Sequence, residues 1–223
     1  NEIGTFSPKT CNTVLLMGKT RCYIFSFLLL NILAASAQKT ISRSRFFKED
    51  TLITMDLSTD LKKLVSEKKL DSYQPAKVTL RFADSSVISE TISLTARGEF
   101  RRKNCFLPTL KLDFKNAAAP KLSTLKKLKL VCGCDKGPIF ERLVLKEYLV
   151  YKIYNLLTDM SFRVRLLYVN YQDTREKIKS YSQYGFLIED VDDMAKRNKC
   201  FEVDKPAFNT EKTDRQQTTL VSI

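Results

Sequence analysis

Alternating apolar and polar residues predict a series of β-strands along the chain. Between residues 87 and 97, apolar side chains recur at every second position toward one face, while serine, threonine and arginine occupy the other. A period of two is typical of a strand with one buried face. Asp84-Ser85-Ser86 predicts the turn of a hairpin with the preceding strand. The further predicted strands are residues 51–57, 77–82, 110–114, 127–132, 162–170 and 184–189.

The longest helical pattern covers residues 139–158 and begins directly after Gly137-Pro138, where proline suits the first helical turn. Its apolar arc is wide, which predicts a helix that is packed on most sides and forms the core of the domain. Shorter helices are predicted after Ser58 or Thr59, over residues 191–198 and after Thr213-Asp214. The expected fold class is therefore α+β, with an antiparallel or mixed sheet packed on a long helix.

A secretory signal peptide is predicted near the start of the chain. The basic segment Met17–Arg21 precedes thirteen mostly apolar residues, and Ala35-Ser36-Ala37 follows as a cleavage site. The apolar run is shorter than the roughly 20 residues that span a bilayer, so we expect export without a stable membrane span. On this interpretation residues 1–16 are upstream read-through, residues 17–37 are removed after Ala37, residues 38–50 form a linker and residues 51–223 form the domain.

The residues that the chain lacks exclude several classes of active site. The sequence contains no histidine, and its formal net charge is +13. Histidine-based nucleophile pairs, general bases and His-containing zinc sites are therefore excluded. Its six glycines are too dispersed for a dinucleotide-binding or Walker A loop.

Four cysteines follow the predicted cleavage site, and an oxidising compartment favours disulfides between them. Pairing Cys132 with Cys134 is the least favourable connectivity because a single residue separates them. The remaining connectivities stay open, and a four-cysteine zinc site is the rival interpretation. The four are Cys105, Cys132, Cys134 and Cys200.

Basic side chains recur on the polar faces of three successive predicted strands. If these strands are neighbours, Arg97, Lys111, Lys127 and Lys129 form a cationic face suited to phosphate or another polyanion. The alternative is a solvent-exposed sheet face that keeps the protein soluble.

Two further charged segments have competing interpretations. Four acids within residues 189–193 could hold a divalent ion, although acids at the start of a helix more often complement its dipole. The basic run Arg101–Lys103, with Phe100 and Phe106 on either side, suggests nucleic-acid binding, but export makes such a partner unexpected.

The order of several segments resembles the spore-coat protein H (CotH) kinase-like family, in a branch of secreted bacterial proteins. The segments are Arg97-Gly98, KNCFLPTLKLDF, KKLKLV, LVLKEYLVYKIYNLL, FRVRLLYV and YGFLIEDVDDMAKR. The resemblance implies an atypical kinase-like fold that binds ATP and magnesium, with Arg97, Lys111 and Lys129 facing the phosphates and Glu189 at the hinge between two lobes. Cys105–Pro108 stands where the family has a lysine-rich run, which is a departure from the family's pattern.

The family's metal-binding and catalytic Asp/Asn motifs would lie beyond Ile223, so the sequence assigns no catalytic residue and no metal ligand to this chain. We expect the N-terminal part of an exported kinase-type protein that binds a nucleotide and phosphorylates protein hydroxyls when complete. The alternative is a non-catalytic secreted or envelope protein of kinase-like fold that binds an anionic partner.

Overall fold

The computed structural model describes residues 46–119, 122 and 124–200. The predicted read-through segment, the signal peptide, its cleavage site and the helix after Thr213-Asp214 lie outside these residues. The described strands are β1 Ile53–Thr59, β2 Gln74–Arg81, β3 Val87–Arg97, β4 Thr109–Asp113, β5 Lys127–Val131, β6 Val164–Asp173 and β7 Tyr181–Ile188. The described helices are α1 Leu61–Ser66, α2 Glu99–Asn104, α3 Pro138–Leu157 and α4 Val191–Arg197.

The seven described strands close into a barrel in the order β1-β2-β3-β4-β5-β7-β6. Every neighbouring pair is antiparallel except β1 and β6, which run parallel and close the barrel. Strands β5 and β7 approach closely at Gly185, where a Cβ atom would lie 2.8 Å from the carbonyl oxygen of Val131. Glycine is therefore required at this position, because any side chain would push the two strands apart.

The main hydrophobic core fills the inside of the barrel. Inward residues of every strand contribute to it, among them Met55, Val78, Leu94, Leu112 and Leu130, each with no exposed surface or almost none. Because side chains alternate along a strand, the residues between them point outward. A second, smaller cluster lies outside the barrel, where α3 packs on β5, β6 and β7.

The predicted fold class was wrong. Each predicted strand is present, with boundaries that differ by a few residues at most, but the strands close on themselves and do not form a sheet packed on a long helix. Helix α3 lies where predicted, yet Val144 is its only buried residue, so the helix is not the core of the domain. The inward faces of the strands bury one another across the barrel, which leaves α3 outside it.

The segment before β1 is packed against the barrel. Phe46 and Phe47, which lie in the predicted linker, are buried in the core cluster. The buried guanidinium of Arg165 on β6 donates to the carbonyl oxygens of Phe46 at 2.7 Å and Thr51 at 2.8 Å. Arg165 therefore fastens this segment to the barrel.

None of the described helices is both long and apolar enough to cross a membrane.

Candidate anion-binding site

Three of the four residues predicted for the site lie together on the outer surface of the barrel. Arg97 is the last residue of β3, Lys111 lies on β4 and Lys129 lies on β5. Lys111 is the direct cross-strand partner of both Thr95 and Lys129, and Arg97 lies two residues beyond Thr95 on the same face. We call Arg97, Lys111 and Lys129 the cationic face.

Two members of the cationic face lack an acidic partner. Among the residues that the structure describes, none brings a carboxylate within ion-pair distance of Arg97 or Lys111. Lys127, the fourth predicted cation, differs, because its ammonium lies 3.6 Å from the carboxylate of Asp113. Arg97 and Lys111 therefore carry positive charge that no carboxylate of the described residues neutralises.

Aromatic side chains border the cationic face on the side of α3. Arg97 is half-buried beside Tyr151, and the ammonium of Lys129 lies 5.8 Å from the ring centre of Phe162. Burial lowers the pKa of Arg97, and this effect outweighs the opposite effect of the nearby Tyr151. Burial also raises the pKa of Tyr151. The site thus combines cations with flat apolar rings.

The backbone at the end of β3 is held in one conformation. Gly98 has a φ of +81°, which favours glycine, and a Cβ atom there would lie 3.2 Å from Oγ1 of Thr109. The same hydroxyl donates a hydrogen bond of 3.0 Å to the carbonyl oxygen of Arg97. These contacts fix the position from which the Arg97 side chain extends.

Glu189, the fourth predicted site residue, directly follows Ile188, which is the cross-strand partner of Lys129. Its side chain is buried, accepts a hydrogen bond of 3.1 Å from the backbone N–H of Arg163 and lies 3.0 Å from Nη2 of Arg197. Both carboxylate oxygens lie within hydrogen-bond distance of Arg197. In the described structure Glu189 therefore holds α4 against the barrel.

The acids that follow Glu189 form the start of a helix. Asp190 is the N-cap of α4 and accepts a hydrogen bond from the backbone N–H of Asp192 at 3.1 Å. Asp192 and Asp193 lie in the first turn, where carboxylates complement the helix dipole. No group of three or more acidic or cysteine side chains within the described residues is placed to hold a metal ion.

The basic run on α2 is neutralised by its surroundings. Arg101 donates to the carbonyl oxygen of Cys132 at 2.7 Å and pairs with Glu147 on α3 at 3.1 Å. Arg102 pairs with Asp71, and Lys103 pairs with Glu99. This run is therefore poorly suited to bind an anionic partner.

A disulfide joins Cys105, directly after α2, to Cys134 in the segment before α3. Cys132 and Cys200 carry free thiols. Burial is the main reason that the pKa of Cys132 is raised to about 12, and its Sγ donates to the carbonyl oxygen of Pro108 at 3.2 Å. The buried thiol is thus protonated at neutral pH and unsuited to act as a nucleophile.

An open pocket of about 490 Å³ lies elsewhere on the barrel, between the end of β1, the start of β2 and residues 174–175. None of the predicted site residues lines it. Two of its cations have acidic partners, since Arg175 lies 3.4 Å from Asp60 and Lys63 lies 4.0 Å from Glu67. The pocket is therefore a weaker candidate for an anion than the cationic face.

Comparison with known proteins gives no match to a protein-family model, a curated protein or a solved structure. The resemblance to the spore-coat protein H family therefore stays a prediction.

The sequence predicted the three cations of the site but not its aromatic border. Tyr151 lies within the apolar arc of α3 and packs against the smaller hydrophobic cluster. The helical spacing of Tyr151 was the signal that could have found this border, because residues that pack a helix onto the barrel also lie next to the exposed surface beside that helix.

Proposed function

We propose that this protein is an exported binding protein whose cationic face holds a phosphate-bearing ligand. One observation carries the proposal. Lys111 and Lys129 are direct cross-strand partners, with Arg97 beside them, and neither Arg97 nor Lys111 has an acidic partner among the described residues. An anion bound to Arg97 and Lys111 would supply the negative charge that these two side chains lack among the described residues.

The energetics favour such a ligand. Like charges directly opposite each other on a sheet are destabilising, by an amount comparable to the roughly 0.2–1 kcal/mol of a favourable pair. A phosphate group would replace this repulsion by charge-assisted hydrogen bonds, which are about twice as strong as neutral ones. The guanidinium of Arg97 could donate two such bonds to one phosphate group, because its donors form a planar fork.

A nucleotide is the ligand class that suits the surroundings best. Lys and Arg pair with phosphate oxygens, and an aromatic ring such as that of Phe162 offers a surface on which a base can stack. ATP therefore fits the residues present. Within the described residues no group of three or more acidic side chains is placed to hold magnesium, so we assign no magnesium ligand. Phosphoryl transfer to protein hydroxyls stays a prediction from the resemblance, and we derive no step for it.

Calorimetry with ATP, pyrophosphate and adenosine tests the proposal. We expect ATP and pyrophosphate to bind, and Lys111→Gln to weaken both about tenfold or more through the loss of one charged hydrogen bond. Binding of adenosine alone would show that the base contributes independently of the phosphates.

Lys77→Gln is the matched control, because Lys77 is an exposed lysine on β2 that lines the open pocket. It should leave the affinity unchanged. The absence of pyrophosphate and ATP binding, or a loss of affinity in the Lys77 variant and not in the Lys111 variant, would refute the proposal.

A further inference from the structure

Helix α3 carries an apolar stripe that faces away from the barrel. Its five apolar members are between 53% and 68% exposed, which is unusual for large aliphatic side chains of one helix face. They are Ile139, Leu143, Val150, Ile153 and Leu157, with the exposed Lys146 in the middle of the row. We call these six residues the α3 seam.

The spacing of the α3 seam is that of a coiled coil. Successive members are alternately four and three residues apart along the whole helix. Apolar residues in this alternation form the a and d positions of a heptad repeat, whose side chains pack into a second helix. The opposite side of α3, with Val144, Tyr148 and Tyr151, packs on the barrel. The seam is therefore presented outward on a helix that is already held in place.

We infer that the α3 seam pairs with the α3 seam of a second copy of this chain, with the two helices antiparallel. The spacing is symmetric about position 148, so a two-fold axis there places Ile139 against Leu157 and Leu143 against Ile153 of the second copy. Lys146 then lies against Val150. Each layer joins an a position to a d position, which is the arrangement of an antiparallel pair, and the surface is self-complementary as a two-fold interface requires.

The charges agree with this arrangement. In a parallel pair the two Lys146 ammonium groups would meet in the same layer. In the antiparallel pair each aliphatic stem covers Val150 of the second copy. The ammonium then reaches toward Glu147 of the second copy, roughly 4.5 Å further along the helix axis at about 1.5 Å per residue, where that carboxylate also pairs with Arg101 of its own chain. A single polar residue within an apolar seam sets the register and orientation of a coiled coil.

The available surface fits a reversible dimer. Leu149, Tyr154 and Leu156 border the seam and are also exposed. Burying one aliphatic side chain removes on the order of 100 Å² of apolar surface from water. At the exposures observed, the apolar residues of two copies together offer roughly 900 Å², close to the approximately 1,000 Å² of the smallest specific interfaces.

Analytical ultracentrifugation of the full chain over a range of concentrations tests the inference. Ile153→Glu puts a carboxylate into the apolar layer that Ile153 forms with Leu143 of the second copy, and it should shift the half-dimer concentration upward at least tenfold. Val87→Glu is the matched control, since Val87 is 58% exposed on β3 and lies outside α3. It should leave the half-dimer concentration unchanged. A wild-type chain that stays monomeric, or equal effects of the two variants, would overturn the inference.

The orientation has its own test, in chains that carry Cys11→Ser, Cys22→Ser and Cys200→Ser. Leu149→Cys lies beside the proposed two-fold axis and should form an intermolecular disulfide under mild oxidation. Ile139→Cys lies at the far end of the helix and should not. Efficient cross-linking through Ile139→Cys, with none through Leu149→Cys, would contradict the antiparallel arrangement.

Discussion

Two basic regions lie near each other on this protein, and they differ in what surrounds their charges. On α2, Arg101, Arg102 and Lys103 each pair with a carboxylate. On the cationic face, Arg97 and Lys111 have no such partner among the described residues. The three cations on α2 are consecutive in the sequence, whereas Arg97 and Lys111 are fourteen residues apart. It is nevertheless Arg97 and Lys111 that have no carboxylate partner among the described residues.

The difference shows that the surroundings of a cation, more than local charge density, identify a binding surface. A paired arginine within a fold contributes to stability, and removing it leaves the partner unsatisfied. An unpaired arginine on a half-buried surface costs free energy of desolvation, which a ligand can offset. The two regions should therefore respond to mutation in opposite ways.

The largest expected effect is on the attachment of α2. The Cys105–Cys134 disulfide closes a loop of 29 residues in sequence separation, and such loops contribute about 3 kcal/mol to stability. The double substitution Cys105→Ser and Cys134→Ser should lower the free energy of unfolding by about that amount in urea titrations. Cys200→Ser should have no effect, because Cys200 is exposed and unpaired. Equal stability of all three proteins would show that α2 is held without the disulfide.

Arg101→Met tests the basic run on α2, whose cations pair with carboxylates. The substitution removes the hydrogen bond to Cys132 and leaves Glu147 without its partner, so the free energy of unfolding should fall by about 1–3 kcal/mol. Affinity for pyrophosphate should not change. Lys103→Met is the control, since its pair with Glu99 is exposed and contributes at most about 0.5 kcal/mol. A weakened affinity in the Arg101 variant would place the binding surface on α2.

Arg97→Met tests the cationic face, where Arg97 has no acidic partner among the described residues. Affinity for pyrophosphate should fall about tenfold, equivalent to about 1.4 kcal/mol. The free energy of unfolding should stay within about 0.5 kcal/mol of the wild-type value or rise, because no described ion pair is lost. A clear loss of stability without a loss of affinity would show that Arg97 is a structural residue.

The smallest expected effect concerns a fully partnered acid. Burial would raise the pKa of Asp173, but hydrogen bonds from the backbone N–H groups of Ile178, Lys177 and Leu61 outweigh it and lower the pKa. Because the pKa of Asp173 is lower in the folded than in the unfolded chain, its carboxylate stabilises the fold fully above the unfolded-state pKa of about 3.9. This contribution is lost as the pH falls through the folded-state pKa. Asp173→Asn should cost about 1 kcal/mol at pH 7. In urea titrations this difference should shrink below about pH 4, and a difference independent of pH would refute the account.

The strands were predictable from the sequence, but the closure of the barrel was not. The alternation of apolar and polar residues along β3 or β4 shows which side chains face the core. The same alternation occurs in an open sheet and in a barrel, so it does not distinguish them. Closure depends on the parallel pairing of β1 with β6, for example Met55 with Val169, which are far apart in sequence. The wide apolar arc of α3 suggested a buried helix because a seam for a second helix and a buried face have the same composition.

The cationic face was predictable for a related reason. Once β3, β4 and β5 are neighbours, alternation alone places Arg97, Lys111 and Lys129 on one surface. The sequence could not show that Asp113 neutralises Lys127 or that Arg197 binds Glu189, because these pairs depend on how β4, β5 and α4 are placed.

The most direct test of the central claim is a nuclear magnetic resonance titration that follows the arginine side-chain Nε–H signals during addition of pyrophosphate. We expect the Arg97 signal to shift and saturate while the Arg101 signal stays in place. A shift of Arg101 with no change at Arg97 would contradict the assignment of the cationic face as the binding site.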